Sequence, residues 1–239
     1  MRIRRSIIMK LLKKLSILAA LLAGAYIPVC AFLASSLDLY IRFRLPAVSA
    51  LIPLLITLGA LAIAFVVPGS VGIVSKIFSI ALIPVSAINF AVYFIYSESS
   101  AGIVLCALSF ILASVLATKT VRFIAFRILI PLCSAGVGII TFALAVILAV
   151  AVGLGRKDVL YIKESPNREY RVELTEQNLS SNGVSLVLYE VKKDTRLPFV
   201  SLVPDGKALF SGKLSDKSSL PEWKDGRTVI FDGKEFSVK

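Results

Sequence analysis

Few side chains in this sequence are suited to bond-making chemistry. No histidine occurs anywhere, so the residue that most often serves as general base or metal ligand is missing. Ser/Lys pairs such as Ser211 and Lys213 have the residue types of a serine–lysine nucleophile, but a spacing that loose arises in any charged stretch. The chain holds no Gly-rich phosphate loop, no nucleophile elbow and no HExxH helix. Its three cysteines, Cys30, Cys106 and Cys133, all fall within long apolar runs, where a thiol is expected to act as a small packing group. The C-terminal third has no cysteine, so neither a disulfide framework nor a zinc site can form there. No catalytic, cofactor-binding or metal-ligating residue is assigned, and no cofactor is expected.

The elements that would position any site are dominated by lipid-soluble sequence. The 239 residues are 57% hydrophobic and 18% charged, with a mean hydropathy of +0.85. Soluble chains run about 45–50% apolar and about 25% charged, and a soluble fold of this size could not hide so much apolar surface. Five uncharged runs, at residues 15–35, 46–67, 77–96, 101–117 and 128–154, approach or exceed the roughly 20 residues that a helix needs to cross a bilayer. Backbone groups must be satisfied internally in lipid, so each run should be helical. The expected fold is a membrane all-α bundle of five transmembrane helices over residues 1–155, followed by a small all-β domain over 156–239. The partner implied at once is the lipid bilayer.

The net charge of +12 is unevenly spread. Residues 1–155 hold 12 Lys/Arg against Asp38 and Glu98, whereas 156–239 hold 15 against 13 acids. A basic excess lying between apolar segments orients a membrane protein and meets anionic lipid; no nucleic-acid partner is expected. Six of the basic residues precede the first span, and Lys76, Lys119, Arg122 and Arg127 flank the third, fourth and fifth, while Arg42 and Arg44 follow the first. The positive-inside rule then puts the N-terminus in the cytoplasm. Five crossings put the C-terminal domain outside a bacterial cytoplasmic membrane. Residues 1–31 also have the outline of a secretory signal, but the apolar run exceeds the usual core of about 7–15 residues, which favours a retained helix.

Within the spans the polar residues are uncharged: Ser49, Thr57, Ser79, Ser86, Asn89, Ser109, Ser114, Ser134 and Thr141. They can bond a helix backbone or a neighbouring helix, and Asn89 is the most polar of them. Pro28, Pro53, Pro84 and Pro131 each remove a backbone donor. Small residues spaced by four occur at Ala20/Gly24, Ala60/Ala64, Ser134/Gly138, Ala149/Gly153 and Ala151/Gly155 and permit close helix contact. The fifth span has the densest set, so it is expected to be tightly packed, and it is the candidate surface for self-association or for other membrane subunits.

Beyond residue 155 the pattern becomes strand-like. Short apolar runs at 159–163, 170–175, 184–191, 199–203, 208–211, 228–232 and 236–238 are separated by turn sequences, among them Ser165-Pro166-Asn167, Asn182-Gly183, Pro204-Asp205-Gly206, Asp225-Gly226 and Asp232-Gly233. The last reads as a two-residue hairpin. Tyr161, Tyr170, Tyr189, Phe199, Phe210, Trp223, Phe231 and Phe236 are the expected core.

Two stretches of this domain, Glu164-Ser165-Pro166-Asn167-Arg168-Glu169-Tyr170-Arg171-Val172 and Trp223-Lys224-Asp225-Gly226-Arg227-Thr228-Val229-Ile230-Phe231-Asp232-Gly233-Lys234, resemble a small family of bacterial membrane-anchored proteins of unknown function with a SPNxxYxV … WxDxxTVxIxG pattern. Arg168-Glu169 stands where that pattern has glycine-lysine. The resemblance implies a bacterial envelope protein and no particular activity. The expected function is an envelope interaction or accessory protein presenting an extracytoplasmic β domain. The alternatives are a transporter or channel subunit, for which Asn89 and the prolines speak, and a membrane enzyme, for which only the loose Ser/Lys pairs do.

Overall fold

The computed structural model describes residues 2–37, 39–67, 72–97, 99–121, 123–155, 157–177, 183–191, 194–204, 206–213 and 220–237, with backbone alone for 2–6, 152–155, 157–159, 176–177, 183 and 212–213. Five helices come first: α1 (Arg2–Ser36), α2 (Pro46–Val66), α3 (Ile73–Tyr96), α4 (Ser100–Thr120) and α5 (Ile124–Gly155). Each contains a stretch long and apolar enough to span a membrane. The chain is a multi-pass membrane protein, a helical bundle followed by a small β domain.

Several helices run past the uncharged spans at their basic ends. Lys10, Lys13 and Lys14 lie within α1, Lys76 within α3, Lys119 within α4 and Arg127 within α5. Lys and Arg are good helix formers and their stems reach the headgroup layer, so a charge ends the hydrocarbon span without ending the helix. All four span prolines sit inside helices. Local chemistry sets the ends: Pro46 stands at the start of α2, and the Ser99 hydroxyl accepts from Gly102 N at the start of α4.

By contacts the chain divides into two units, Met1–Leu33 with Ile41–Ala149, and Ala34–Tyr40 with Val150–Lys239. In the first, α4 packs on both α2 and α3. Ile17 and Ala20 of α1, Ala60, Leu61 and Ala64 of α2, Leu82 of α3, and Ala113 and Leu116 of α4 form one buried cluster. Alanine dominates it because small side chains let helix backbones approach.

The expected tight packing of the fifth helix is not found among the described residues. α5 buries the smallest share of its apolar length of the five. Gly138 is used, with Phe110 seated where a side chain would otherwise stand, and Ala145 is fully buried, but a Cβ added at Gly136 would meet no other helix within 4 Å. Large side chains between the small ones, Ile139, Ile140 and Ile147 among them, face outward, while Phe142 meets the Phe94 ring of α3 edge-on at 5.7 Å. Small-residue spacing permits contact without specifying which helix supplies it. Gly153 and Gly155 fall where only backbone is described.

The second unit is built of antiparallel strands: β2 (Lys157–Glu164), β3 (Tyr170–Gln177), β4 (Gly183–Glu190), β5 (Thr195–Leu197), β6 (Val200–Pro204), β7 (Lys207–Lys213), β8 (Glu222–Trp223), β9 (Thr228–Phe231) and β10 (Lys234–Ser237). They form sheets β2-β3-β4-β7 and β10-β9-β8, and β5–β6 join β1 (Leu39–Phe43) in the order β1-β6-β5. The opening residues of β1, Leu39 and Tyr40, belong to this unit. All seven expected strand runs overlap observed strands; β1, β5 and β8 are additional. Val172, Leu174, Val184, Leu186, Leu188, Val229 and Phe231 form the core, with Tyr161, Tyr170, Phe210, Trp223 and Phe236 against it. Of the expected aromatics, Tyr189 instead lies under the Arg171 guanidinium, 5.1 Å from ring centroid to Cζ, and Phe199 occupies a turn with φ 66°. The Asp232-Gly233 hairpin forms as read: Phe231 pairs with Lys234, and both turn residues have positive φ (50° and 71°), as a type I′ turn requires. Asn182 and Asp205 lie outside the described residues, so those two turns are only partly in view.

Candidate functional site

The most developed internal polar arrangement is a seam along α3. Ser75, Ser79, Ser86, Asn89 and Tyr93 follow one another at helical spacing and are all buried. Toward one end, the Ser49 hydroxyl of α2 donates to its own Pro46 carbonyl at 3.0 Å and also contacts the Tyr93 hydroxyl closely. Serine has one proton to give, so the tyrosine is the donor in that pair. Phe43 packs against Tyr93 with centroids 4.6 Å apart and the rings tilted by 42°, and Gly102 of α4 leaves room for the ring: a Cβ there would stand 3.1 Å from Tyr93 Cδ1.

One turn away, Asn89 Nδ2 donates to Cys106 Sγ at 3.8 Å, while its Oδ1 is buried without a partner among the described residues. At the other end, Ser79 Oγ and Thr120 Oγ1 lie 2.7 Å apart, and each is also placed to donate to a backbone carbonyl, Lys76 O and Ala117 O. Two protons cannot fill three bonds, so one hydroxyl must leave its carbonyl when the pair forms. The seam therefore offers hydroxyls, an amide and a thiol, with no charge. It can lock three helices in register.

Sequence reasoning found Ser49, Ser79, Ser86, Asn89 and Ser109 and missed Tyr93, Ser75 and Thr120. Their common spacing on α3 was the available signal for the first two. Of the other expected polar positions, Thr57 and Ser134 are buried, and Ser114 is partly buried and donates to its own helix at Phe110 O. Cys30 and Cys106 are buried, whereas Cys133 is exposed on the bundle surface.

In the β domain the two motif stretches meet. The Ser165 hydroxyl donates to Asn167 Oδ1 at 2.6 Å and accepts from Tyr170 N at 3.0 Å, closing the β2–β3 turn with Arg168 at φ 54°. Trp223 Nε1 donates to Lys163 O at 3.3 Å, and Asn167 fits against Gly226, where a Cβ would come within 3.0 Å of its Nδ2. Asp225 Oδ1 accepts from both Arg227 N and Thr228 N at 2.7 Å. These backbone donors, Arg227 N first, hold the Asp225 carboxyl below its ordinary 3.8. Glu235, 2.6 Å away and bonded to the Lys224 ammonium, pushes that group above its ordinary value.

A second charged group lies nearby in sequence. Arg171 Nε is 2.8 Å from Glu173 Oε1 and its Nη1 is 3.4 Å from Asp194 Oδ2, all three side chains being largely buried. The Nε–H does not point along the Glu173 contact, so that pair is ionic in character and not a formed hydrogen bond. Ser185 Oγ donates to Ser211 Oγ at 3.5 Å, and the Lys213 side chain lies outside the described residues. No group of three or more Cys, Asp or Glu is gathered as a metal site among the described residues. Each of these arrangements shapes a turn or a strand face, and none presents a nucleophile to a base.

Comparison of the chain with known protein families, with curated proteins and with solved structures finds no match, so the family resemblance rests on the two clasped motif stretches alone.

Proposed function

We propose that the chain is an accessory protein of a bacterial cytoplasmic membrane, anchored by its helices and recognising another envelope component through its C-terminal β domain on the outer face. The observation that carries this reading is an apolar pair on a sheet edge. β2 is an outer strand of its sheet. Leu160 and Ile162 are exposed on it while Tyr161 between them packs on the core. Exposed apolar residues at i and i+2 on an outer strand give a partner both an apolar footing and a backbone to pair with. The outward length of α5 offers a second surface, within the bilayer, for another subunit or a second copy.

The distribution of charge supports the orientation. Lys10, Lys13, Lys14, Lys76, Lys119 and Arg127 all lie toward helix ends that share one side by alternation, the side assigned to the cytoplasm by the positive-inside rule. A photoreactive residue replacing Leu160, illuminated in native membranes, is expected to give a stoichiometric adduct with an envelope protein or a second copy, while the same probe at exposed Arg196 gives little. Recovery of monomer alone, under conditions that trap a known complex, would count against the reading.

The Asn89 carbonyl oxygen favours a second reading, a transporter or channel subunit, since an unmet acceptor deep in a helical bundle is a place for a solute or water. Flux into liposomes that is lost in Asn89→Ala would support it; flux equal to protein-free vesicles would dispose of it.

A further inference from the structure

We propose that a cavity between the end of α4 and the start of α5 is a headgroup site for an anionic phospholipid. The cavity, about 370 Å³, is lined by Ser114, Val115, Thr118 and Lys119 of α4 and by Arg127 and Pro131 of α5. Its volume falls in the range of small-ligand sites, about 300–1,000 Å³. Two cations stand at its basic end and apolar groups line its inner part, the division that a lipid phosphate with its attached chains requires.

The cations are held in place without being neutralised. The Lys119 ammonium lies 4.2 Å over the Phe65 ring, a contact that fixes its position and leaves its charge intact. Arg127 Nε donates to Val121 O at 2.9 Å, which orients the guanidinium while engaging, among the described residues, only one of its donor nitrogens. Residues 1–155 contain two acids, Asp38 and Glu98, and these fall in sequence between α1 and α2 and between α3 and α4, connections at the opposite end of the helices from Lys119 and Arg127. The charge at the cavity therefore calls for an anion from outside the bundle. Ser114 and Thr118 donate their protons to Phe110 O and Ser114 O, so toward the cavity their oxygens act as acceptors. A phosphodiester bearing a hydroxylated headgroup satisfies both the cations and these acceptors.

The alternative source of the same chemistry is free phosphate, and the test separates the two. The full-length protein, in a neutral detergent, is offered equal amounts of phosphatidylglycerol and phosphatidylcholine and examined by native mass spectrometry. One phosphatidylglycerol is expected to be retained in preference to phosphatidylcholine. Lys119→Gln and Arg127→Gln should each weaken that binding about fivefold, while Lys10→Gln, which removes an exposed charge from the same end of the bundle, leaves it unchanged. Val115→Trp fills the cavity with both cations kept and should also abolish the preference, which decides the matter if the charge variants fail to fold. Equal retention of the two lipids, an equal loss in Lys10→Gln, retained preference in Val115→Trp, or displacement of phosphatidylglycerol by millimolar inorganic phosphate would each overturn the proposal.

Discussion

Tyr93 joins three helices through two different contacts, and the contacts differ in how much they should matter. Its hydroxyl donates to Ser49, but Ser49 also has the Pro46 carbonyl, so Tyr93→Phe leaves no buried donor stranded. The cost should be about 0.5–1.5 kcal/mol, near the lower figure if hydrogen bonds in bilayers average about 0.6. Gly102→Ala instead drives a methyl to 3.1 Å from the ring and 3.4 Å from Pro46 O, and overpacking costs about 1–3 kcal/mol. Thermal unfolding in detergent should rank Gly102→Ala as the more damaging change; the opposite order would mean the ring has room to move.

Asp225 gives a pH prediction at the same scale. Its folded pKa is depressed, chiefly by the Arg227 backbone N–H. A depressed carboxyl contributes stability above its unfolded pKa and loses it as the pH falls through the folded value. The turn should therefore hold below pH 3.8, the ordinary value, and loosen only in stronger acid. The Arg227 and Thr228 amide resonances followed against pH should report a midpoint under 3.8, and a midpoint above it would contradict the geometry. Lys224 runs the other way: its raised pKa keeps the Glu235 bond through neutral pH, to be lost above about its ordinary 10.5.

Among the elements, what the sequence made legible divides by the range of the interactions involved. Five helices could be read because hydropathy over about 20 residues depends on lipid and on no partner. The Asp232-Gly233 hairpin could be read because two adjacent residues fix it. β1 could not: Leu39-Tyr40-Ile41-Arg42-Phe43 is five residues long, and its partner strand β6 begins at Val200. The Ser49–Tyr93 contact was equally hidden, since the two residues are 44 positions apart and nothing local marks either as the other's neighbour. For α5 the local signal misled, because small residues permit packing on any helix, inside or outside the chain. The hairpin yields the prediction for this scale. Gly233 sits at φ 71°, where a β-branched side chain is strained by about 1–2 kcal/mol. Gly233→Val should speed amide exchange across β9 and β10 while leaving β3 and β4 protected; uniform loosening of the whole domain would mean that the two sheets unfold as one.

For the molecule as a whole, the question the sequence left open is whether the first helix stays. The apolar run following a basic flank suits either a cleaved signal or an anchor. The packing speaks for the anchor. Ile17 and Ala20 are fully buried in the bundle's central cluster, Ile27 and Cys30 are also buried, and the Lys13 ammonium donates to Val67 O at 3.0 Å. Val67 caps the C-terminal end of α2, where a cation meets the negative end of the helix dipole. Cleavage near Ala31 would remove all of these and open a cavity among Ala60, Leu61, Ala64, Leu82, Ala113 and Leu116. Losses at two large-to-small substitutions already cost several kcal/mol, against a total stability of about 5–15 kcal/mol. An epitope placed ahead of α1 should therefore remain attached to protein purified from membranes. A membrane-resident product that begins near Ala31 and still unfolds cooperatively would mean that α2 to α5 close their own core, and that α1 guides insertion without being part of the fold.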